Sequence, residues 1–187
     1  RIDNLKPLHW YGMSKLLMDR RIFNEKLGIS LRFFNVYGPG EKHKLEQGMA
    51  SPISTFFHKS LLNKTKRNFS KIPIYKDNRE MARDFIYIDD VCEILYYTLV
   101  NDIQNGIYNV GSGIATGWSE IAALVCEKLK IDRNNYFEPA QLPDKLKSTY
   151  QYYTKANLDK LKNAFGYHCN FTPLSIGVAK TFELDFA

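Results

Sequence analysis

Strand-like and helix-like segments alternate along this chain from one end to the other. Short apolar runs such as 29–37 and 106–110 end in glycine-containing turns, and segments with apolar residues at helical spacing follow them. This alternation is typical of an α/β fold with a mainly parallel sheet, because parallel strands need crossover connections, which are usually helices. The predicted helices cover 8–27, 52–63, 90–101, 118–130, 154–165 and a last segment from 172, and the predicted strands cover 29–37, 72–75, 83–88, 106–110 and 136–138.

The composition is that of a globular protein. Of the 187 residues, 44% are hydrophobic and 25% are charged, a balance that excludes intrinsic disorder. No apolar run approaches the ~18 residues that a membrane-spanning helix needs. The three cysteines and four histidines lack the spacing of metal ligands, so we expect no metal site and a reducing, cytoplasmic compartment.

Positive charge is concentrated in one stretch. The net charge is +6, and residues 41–71 contain seven lysines and arginines against two glutamates. A local basic stretch indicates an anionic partner, which could be a nucleic acid, a membrane surface or a phosphorylated small molecule. Nucleic-acid binding also needs stacking aromatic side chains, and Phe69 is the only aromatic residue between 59 and 71.

Tyr11 and Lys15 lie four residues apart on the first predicted helix, so the phenol and the ammonium share a face. A cation beside a phenol stabilises its phenolate form, and such a pair can move a proton to or from a substrate hydroxyl. The chain has twelve tyrosines, and about one pair of this spacing is expected by chance. The spacing alone therefore leaves the catalytic and the accidental interpretation open.

Three other patterns follow the ends of strands or begin them. The glycines at 111, 113 and 117 lack the spacing of a dinucleotide-binding loop, so we predict a plain turn followed by a helix cap. Lys42 and Lys44 follow a strand end, where α/β sheets bind ligands, but a solvated loop is the ordinary alternative. Arg83 begins a strand and is either a surface residue or a phosphate ligand.

Four segments in order resemble the extended short-chain dehydrogenase/reductase family: Tyr11-Gly-Met-Ser-Lys15, Leu31-Arg-Phe-Phe-Asn-Val-Tyr-Gly-Pro39, Arg83-Asp-Phe-Ile-Tyr-Ile-Asp-Asp-Val91 and Tyr108-Asn-Val-Gly-Ser-Gly113. The resemblance implies the last part of a Rossmann-type, doubly wound parallel sheet plus a smaller α/β substrate-binding domain. Segments 1–40 and 83–113 would belong to the Rossmann part, and 41–82 and 114–187 to the substrate-binding part. The glycine-rich cofactor loop of the family has no counterpart, so we expect the N-terminal cofactor-binding half to lie outside this chain.

Further segments resemble nucleotide-sugar epimerases of that family: Glu41-Lys-His-Lys44, Met49-Ala-Ser51 and Leu142-Pro-Asp-Lys-Leu-Lys-Ser-Thr-Tyr-Gln151. This resemblance implies an isomerase that inverts C6 of an ADP-linked heptose for lipopolysaccharide synthesis, by transient NADP-dependent oxidation and re-reduction. The alternatives are a nucleotide-sugar 4-epimerase or 4,6-dehydratase of the same family, an inactive fragment, and a basic nucleic-acid-binding module.

The resemblance also implies roles for individual residues. Tyr11 and Lys44 match the two catalytic acid/base groups, and Lys15 and Val36 match cofactor contacts. The residues that match substrate contacts are Asn35, Thr55, Tyr75, Lys76, Asp77, Asn78, Arg83 and Tyr150. We expect a small nucleotide-sugar substrate and a homo-oligomer, with neither nucleic acid nor membrane as a partner.

Overall fold

The computed structural model describes residues 4–65, 70–77 and 79–185, so the expected substrate contact at Asn78 lies outside the described residues. The helices are α1 (Trp10–Glu25), α2 (Lys42–Leu45), α3 (Pro52–Thr65), α4 (Ile88–Val100), α5 (Trp118–Leu129), α6 (Arg133–Tyr136), α7 (Asp144–Lys147), α8 (Asp159–Phe165) and α9 (Leu174–Asp185). The strands are β1 (Ile29–Phe33), β2 (Asn35–Tyr37), β3 (Ile72–Lys76), β4 (Ala82–Tyr87), β5 (Gly106–Val110), β6 (Ala115–Gly117) and β7 (Phe137–Gln141).

The chain segment 29–37 connects two parallel strand pairs. β1 runs parallel to β5, with Ile29 opposite Gly106, and β2 runs parallel to β4, with Asn35 opposite Phe85. The single strand predicted here is therefore two consecutive strands, because its halves bind different neighbours. At the break, the Phe34 N–H donates to the Val110 carbonyl at 2.9 Å. The parallel pairing and the helical connections confirm the α/β class.

The segment after β5 differs from the prediction. β6 lies antiparallel to β4, with Ala82 opposite Gly117, so the expected plain turn contains a short strand before α5 begins. β3 runs parallel to β7, with Ile72 opposite Phe137. β6 is therefore an edge strand of the sheet β2-β4-β6, whereas β3 and β7 form a separate two-stranded sheet.

The ends of the helices follow local hydrogen bonding where the sequence offers a cap. α1 begins after His9, whose Nδ1 accepts the Gly12 N–H at 3.0 Å, and α3 begins after Ser51, whose Oγ accepts the Ser54 N–H at 3.2 Å. The predicted start of a helix at Thr154 was wrong. The Thr154 N–H instead donates to the Ala82 carbonyl at 3.1 Å, and α8 begins only at Asp159.

Two hydrophobic clusters lie on either side of β4. The first packs α3, α5 and α9 together and includes Ile53, Phe57, Ile121, Val125 and Phe182. The second lies among β5, α4 and α8 and includes Ile94, Tyr108, Val110, Leu161 and Phe165. Each fully buried aliphatic or aromatic side chain of this kind contributes about 1.5–3 kcal/mol through removal from water.

β4 is buried along its whole length and separates these clusters. Phe85 and Tyr87 belong to the first cluster and Ile86 to the second. Because successive strand residues point to opposite faces, Arg83 lies on the side of the first cluster and Asp84 on the side of the second. Within the described ranges, no helix is both long enough and apolar enough to cross a lipid bilayer.

Candidate active site

A pocket of about 290 Å³ opens among α3, β3, the first residue of α5 and the segment near residue 150. Three residues expected to contact substrate, Thr55, Tyr75 and Tyr150, line it. The other lining residues, which are mostly apolar, are Ala50, Pro52, Phe56, Lys59, Ile72, Pro73 and Trp118. A concave, mainly apolar pocket with a few polar groups is the usual form of a small-molecule site.

Arg83 lies beside two aromatic rings of this pocket. Its guanidinium carbon is 5.0 Å from the centroid of the Tyr150 ring and 5.9 Å from that of Trp118, and only 8% of the residue is exposed. Its Nη1 donates to the Ala82 carbonyl at 3.2 Å. Among the described residues, no carboxylate forms an ion pair with it.

Burial removes the Arg83 guanidinium from water, which is unfavourable for its charged form. Desolvation lowers the pKa of the Arg83 guanidinium from its ordinary value, and the interaction with Tyr150 opposes that shift. Arginine nevertheless stays charged in proteins. A buried cation with no nearby acid is stabilised by an anionic ligand, and a guanidinium can bind two phosphate or carboxylate oxygens at once.

A hydrogen bond connects the end of β3 to the segment that carries Tyr150. The Tyr152 hydroxyl donates to Asp77 Oδ2 at 2.6 Å, and this hydrogen bond raises the pKa of Tyr152. The Arg79 guanidinium carbon lies 3.3 Å from the centroid of the Tyr152 ring. Asp77 thus connects the end of β3 to the segment that carries Tyr150, and Lys76 is exposed at the strand end; neither residue lines the pocket.

Tyr11 and Lys15 share a face of α1, as their spacing predicts. Lys15 Nζ is 5.2 Å from the centroid of the Tyr11 ring, and the Tyr11 residue is 69% exposed. Within the part of the chain that the structure describes, no acidic side chain forms an ion pair with Lys15. The phenol and the ammonium are therefore both open to a ligand.

Asp19 anchors this helix to the sheet. Its carboxylate accepts hydrogen bonds from Ser30 Oγ at 2.5 Å and from Arg32 Nε at 2.6 Å, and Asp19 is one of the buried residues of α1. The contact fixes α1 against β1, so the positions of Tyr11 and Lys15 relative to the sheet depend on it.

The remaining predicted residues lie in β2 and in the short helix α2 beyond it. The Asn35 amide donates to the Asp84 carbonyl at 2.9 Å, and Val36 packs against the second hydrophobic cluster. Lys44 lies on α2, where its Nζ is 4.0 Å from Glu41 Oε1. None of these side chains lines the pocket. The described residues of the predicted site therefore lie in the pocket, in α1, in β2 and α2, at the end of β3, and at Arg83 in β4.

Sequence reasoning missed several residues of the pocket wall. Lys59 follows Thr55 by one helical turn on α3, and that i, i+4 spacing was the available signal for its position. Trp118 and Phe56 carry no local signal, because their place in the wall depends on how α5 and α3 pack. The predicted site thus included the polar contacts of the pocket except Lys59, and it lacked most of the apolar residues that line the pocket.

A second cleft, of about 490 Å³, lies between the first turn of α5 and the segments 158–162 and 169–175. It is larger, but it contains none of the residues expected to contact substrate or cofactor. The smaller pocket is the better candidate because it contains three expected substrate contacts, and two of its rings contact the buried Arg83, which does not itself line the pocket. The described residues contain no group of three histidine, cysteine or acidic side chains that could hold a metal ion.

Comparison with known proteins gives a consistent result. A family model described as the NAD dependent epimerase/dehydratase family matches residues 2–111. The ADP-L-glycero-D-manno-heptose-6-epimerase of Nitratidesulfovibrio vulgaris (strain DP4) is 39% identical over 180 residues, which cover 94% of this chain and 54% of that protein. The chain thus spans about half the length of the curated relatives it matches.

Solved structures show the same fold. The ADP-L-glycero-D-manno-heptose-6-epimerase of Helicobacter pylori superposes with a TM-score of 0.73 at 25% identity, over 96% of this chain and 51% of that chain. The dTDP-glucose 4,6-dehydratase of Bacillus anthracis, solved in complex with NAD, gives a TM-score of 0.71 at 20% identity, over 96% of this chain and 53% of that chain.

Proposed function

The chain belongs to the NAD dependent epimerase/dehydratase family, and from that membership we propose that the protein is a nucleotide-sugar epimerase acting on an ADP-linked heptose. Two curated relatives named ADP-L-glycero-D-manno-heptose-6-epimerase are each 39% identical to the chain. The proposed reaction inverts C6 of ADP-D-glycero-D-manno-heptose to the L-glycero form.

The observation that carries this proposal is the buried Arg83 cation beside the pocket, which forms no ion pair with an acid among the described residues. Arg83 is 8% exposed and lies against the rings of Tyr150 and Trp118. A diphosphate would bind the guanidinium bidentately, and the apolar pocket beside it would bury the rest of a nucleotide. Thr55, Tyr75 and Lys59 lie in the same wall and would supply polar contacts to the ligand.

The chain also has residues that fit a nicotinamide cofactor, with NADP as the proposed form. Lys15 and Val36 would contact it, since the Lys15 ammonium has no acid partner among the described residues and can bind ribose hydroxyls. When bound, the cofactor would accept a hydride from C6 of the sugar and return it to the opposite face of the resulting ketone.

The residues of the chain would move the protons. Inversion requires an acid/base group on each side of C6, because the hydroxyl lies on opposite sides in the two epimers. Tyr11, with the Lys15 ammonium 5.2 Å from its ring centroid, would remove or return the hydroxyl proton on one side. Lys44 would do so on the other side.

The test uses the complete gene product with each epimer of ADP-heptose, and it follows interconversion by chromatography. The wild-type protein is expected to interconvert the epimers. Lys44→Ala should retain bound cofactor but lose interconversion, and Tyr11→Phe should slow it by about 10²–10⁴-fold, the usual contribution of a general acid/base. Glu46→Gln, in the same loop as Lys44, is the matched control.

Other outcomes would correct the proposal. Activity on UDP- or dTDP-hexoses in place of ADP-heptose would make the protein a 4-epimerase or 4,6-dehydratase of the same family. Unimpaired interconversion by Lys44→Ala would remove Lys44 from the chemistry. Assembly into a homo-oligomer stays a prediction, which light scattering on the purified protein would check.

A further inference from the structure

Glu41 is a buried acid at the base of the loop that carries Lys44. Its carboxylate accepts three hydrogen bonds from the start of α3. Oε1 accepts the Ser51 N–H at 3.1 Å, and Oε2 accepts the hydroxyls of Ser51 at 2.5 Å and Ser54 at 2.7 Å. The residue is 7% exposed, so this acid joins the first and last residues of the 41–51 loop.

The same residue contacts Lys44 through both its backbone and its side chain. The Lys44 N–H donates to the Glu41 carbonyl at 2.9 Å, and Lys44 Nζ lies 4.0 Å from Glu41 Oε1. On the far side, the Met49 N–H donates to the Lys44 carbonyl at 3.0 Å. Lys44 is thus held between Glu41 and the chain that returns to α3.

The turn beyond Lys44 contributes little apolar packing, because Glu46, Gln47 and Gly48 are exposed and only Leu45 is half-buried among residues 45–48. The start of α3 does not need an acid for capping, because the Ser51 hydroxyl already accepts the Ser54 N–H at 3.2 Å. Burying a carboxylate is costly unless its hydrogen bonds compensate. The hydrogen bonds from Ser51 and Ser54 supply that compensation for Glu41.

We propose that Glu41 is a positioning residue for Lys44, which it holds by fastening the 41–51 loop to the start of α3. This inference rests on the proposed function, in which Lys44 serves one face of the sugar carbon. A displacement of about 1 Å at a reacting group can cost 10²-fold in rate. Loosening the loop should therefore impair only the proton transfer that Lys44 performs.

The two epimers make this selectivity measurable. Oxidation of one epimer would use Lys44 as its base, and oxidation of the other would use Tyr11. In single turnovers of the complete gene product, each epimer is mixed separately with protein that carries oxidised cofactor, and reduced cofactor is followed by absorbance. Lys44→Ala identifies the epimer that depends on Lys44. Glu41→Ala, Glu41→Gln and Ser54→Ala are then compared with it.

Glu41→Ala should slow oxidation of the Lys44-dependent epimer by about 100-fold and leave the other epimer unaffected. Glu41→Gln keeps an acceptor for the Ser51 N–H and should cost about tenfold, the equivalent of one hydrogen bond. Ser54→Ala should show a smaller loss for the same epimer. If the alanine variant at Glu41 fails to fold, the other two variants carry the same test.

Glu46→Gln, an exposed acid of the same loop, is the control and should match the wild type. Equal slowing of both epimers, with a lowered thermal midpoint, would reduce Glu41 to a structural residue and overturn the inference. Wild-type rates in all three variants would overturn it as well. Failure of the proposed function is distinguishable, because the wild type would then oxidise neither epimer or Lys44→Ala would affect both equally.

Discussion

Arg83 combines burial, positive charge and aromatic neighbours in one residue. Its contact with Tyr150, at 5.0 Å from the ring centroid, offsets part of the cost of desolvation through a cation–π interaction. Among the described residues, no acid forms an ion pair with Arg83 that would offset the rest of this desolvation cost. The side chain is therefore already in place for an anion before the ligand arrives. Less conformational entropy is then lost when the ligand binds.

We expect Arg83→Gln to raise the Kd for ADP by roughly 10- to 100-fold, because hydrogen bonds to charged groups contribute about 1.5–3 kcal/mol. Titration calorimetry on the complete gene product would measure it. Arg21→Gln is the matched control, since Arg21 is an exposed residue of α1 with Glu25 as its partner. Equal ADP affinity in the two variants would exclude Arg83 from phosphate binding.

The elements around β4 are held together by one carboxylate. Asp84 is fully buried, and its oxygens accept hydrogen bonds from the N–H groups of Ser112 at 2.7 Å, Gly113 at 2.9 Å and Ala156 at 2.9 Å. The Ser112 hydroxyl adds a fourth at 2.8 Å. β4, the turn after β5 and the segment before α8 thus converge on a single side chain.

Asp84→Ala should lower the free energy of unfolding by roughly 3–5 kcal/mol, because it leaves three backbone N–H groups without acceptors and each costs about 1–3 kcal/mol when buried. Equilibrium urea unfolding of the complete gene product would measure the change. Asp102→Ala, at an exposed loop position, should stay within about 0.5 kcal/mol of the wild type. Similar midpoints for both variants would contradict the structural role of Asp84.

The sequence predicts elements well where their signals are local. Hydrophobic periodicity and caps placed α1, α3, α4 and α5 close to their observed bounds, and β5 matched fully. The failures have distant causes. The break at Phe34 depends on which neighbours bind the two halves of the segment, and the extended backbone at Thr154 depends on a hydrogen bond to Ala82. Neither is encoded near the residues concerned.

The same distinction applies to the candidate site. Tyr11 and Lys15 could be paired from spacing alone, because one helix determines their relation. The pocket wall is different, since Thr55, Tyr75, Trp118 and Tyr150 meet only after four separate segments have packed. The resemblance to a family predicted Thr55, Tyr75 and Tyr150 as substrate contacts. The position of Trp118 in the wall is seen only in the folded structure.

At the scale of the whole molecule, the described lysines of the basic stretch 41–71 lie in different surroundings. Lys59 lines the pocket, whereas Lys64 and Lys71 donate to the carbonyl groups of Leu129 at 3.2 Å and Asn134 at 2.7 Å. These acceptors are neutral, so the lysines keep their net charge. Lys59 therefore contributes a positive field in the pocket where the proposed nucleotide would bind.

That field predicts a dependence on salt. The KM for the nucleotide sugar should rise several-fold between about 0.01 M and about 0.15 M ionic strength, because the Debye length falls from about 30 to about 8 Å. Steady-state kinetics would show the effect in KM, with kcat unchanged. Lys59→Gln should flatten the dependence, whereas Lys128→Gln, which removes a partner of Glu183, should not. A KM independent of salt would contradict the prediction.

The alternation along β4 has a consequence for how this chain can vary in length. Arg83 and Asp84 are neighbours that point to opposite faces, one toward the aromatic pocket and the other toward the turn at 111–113. A one-residue deletion just before them would exchange the two faces, placing the carboxylate among the rings and the guanidinium among the backbone N–H groups. Natural insertions and deletions should therefore be absent from β4 and more frequent in exposed loops such as the one at Asp102, where one residue more or less reverses no strand.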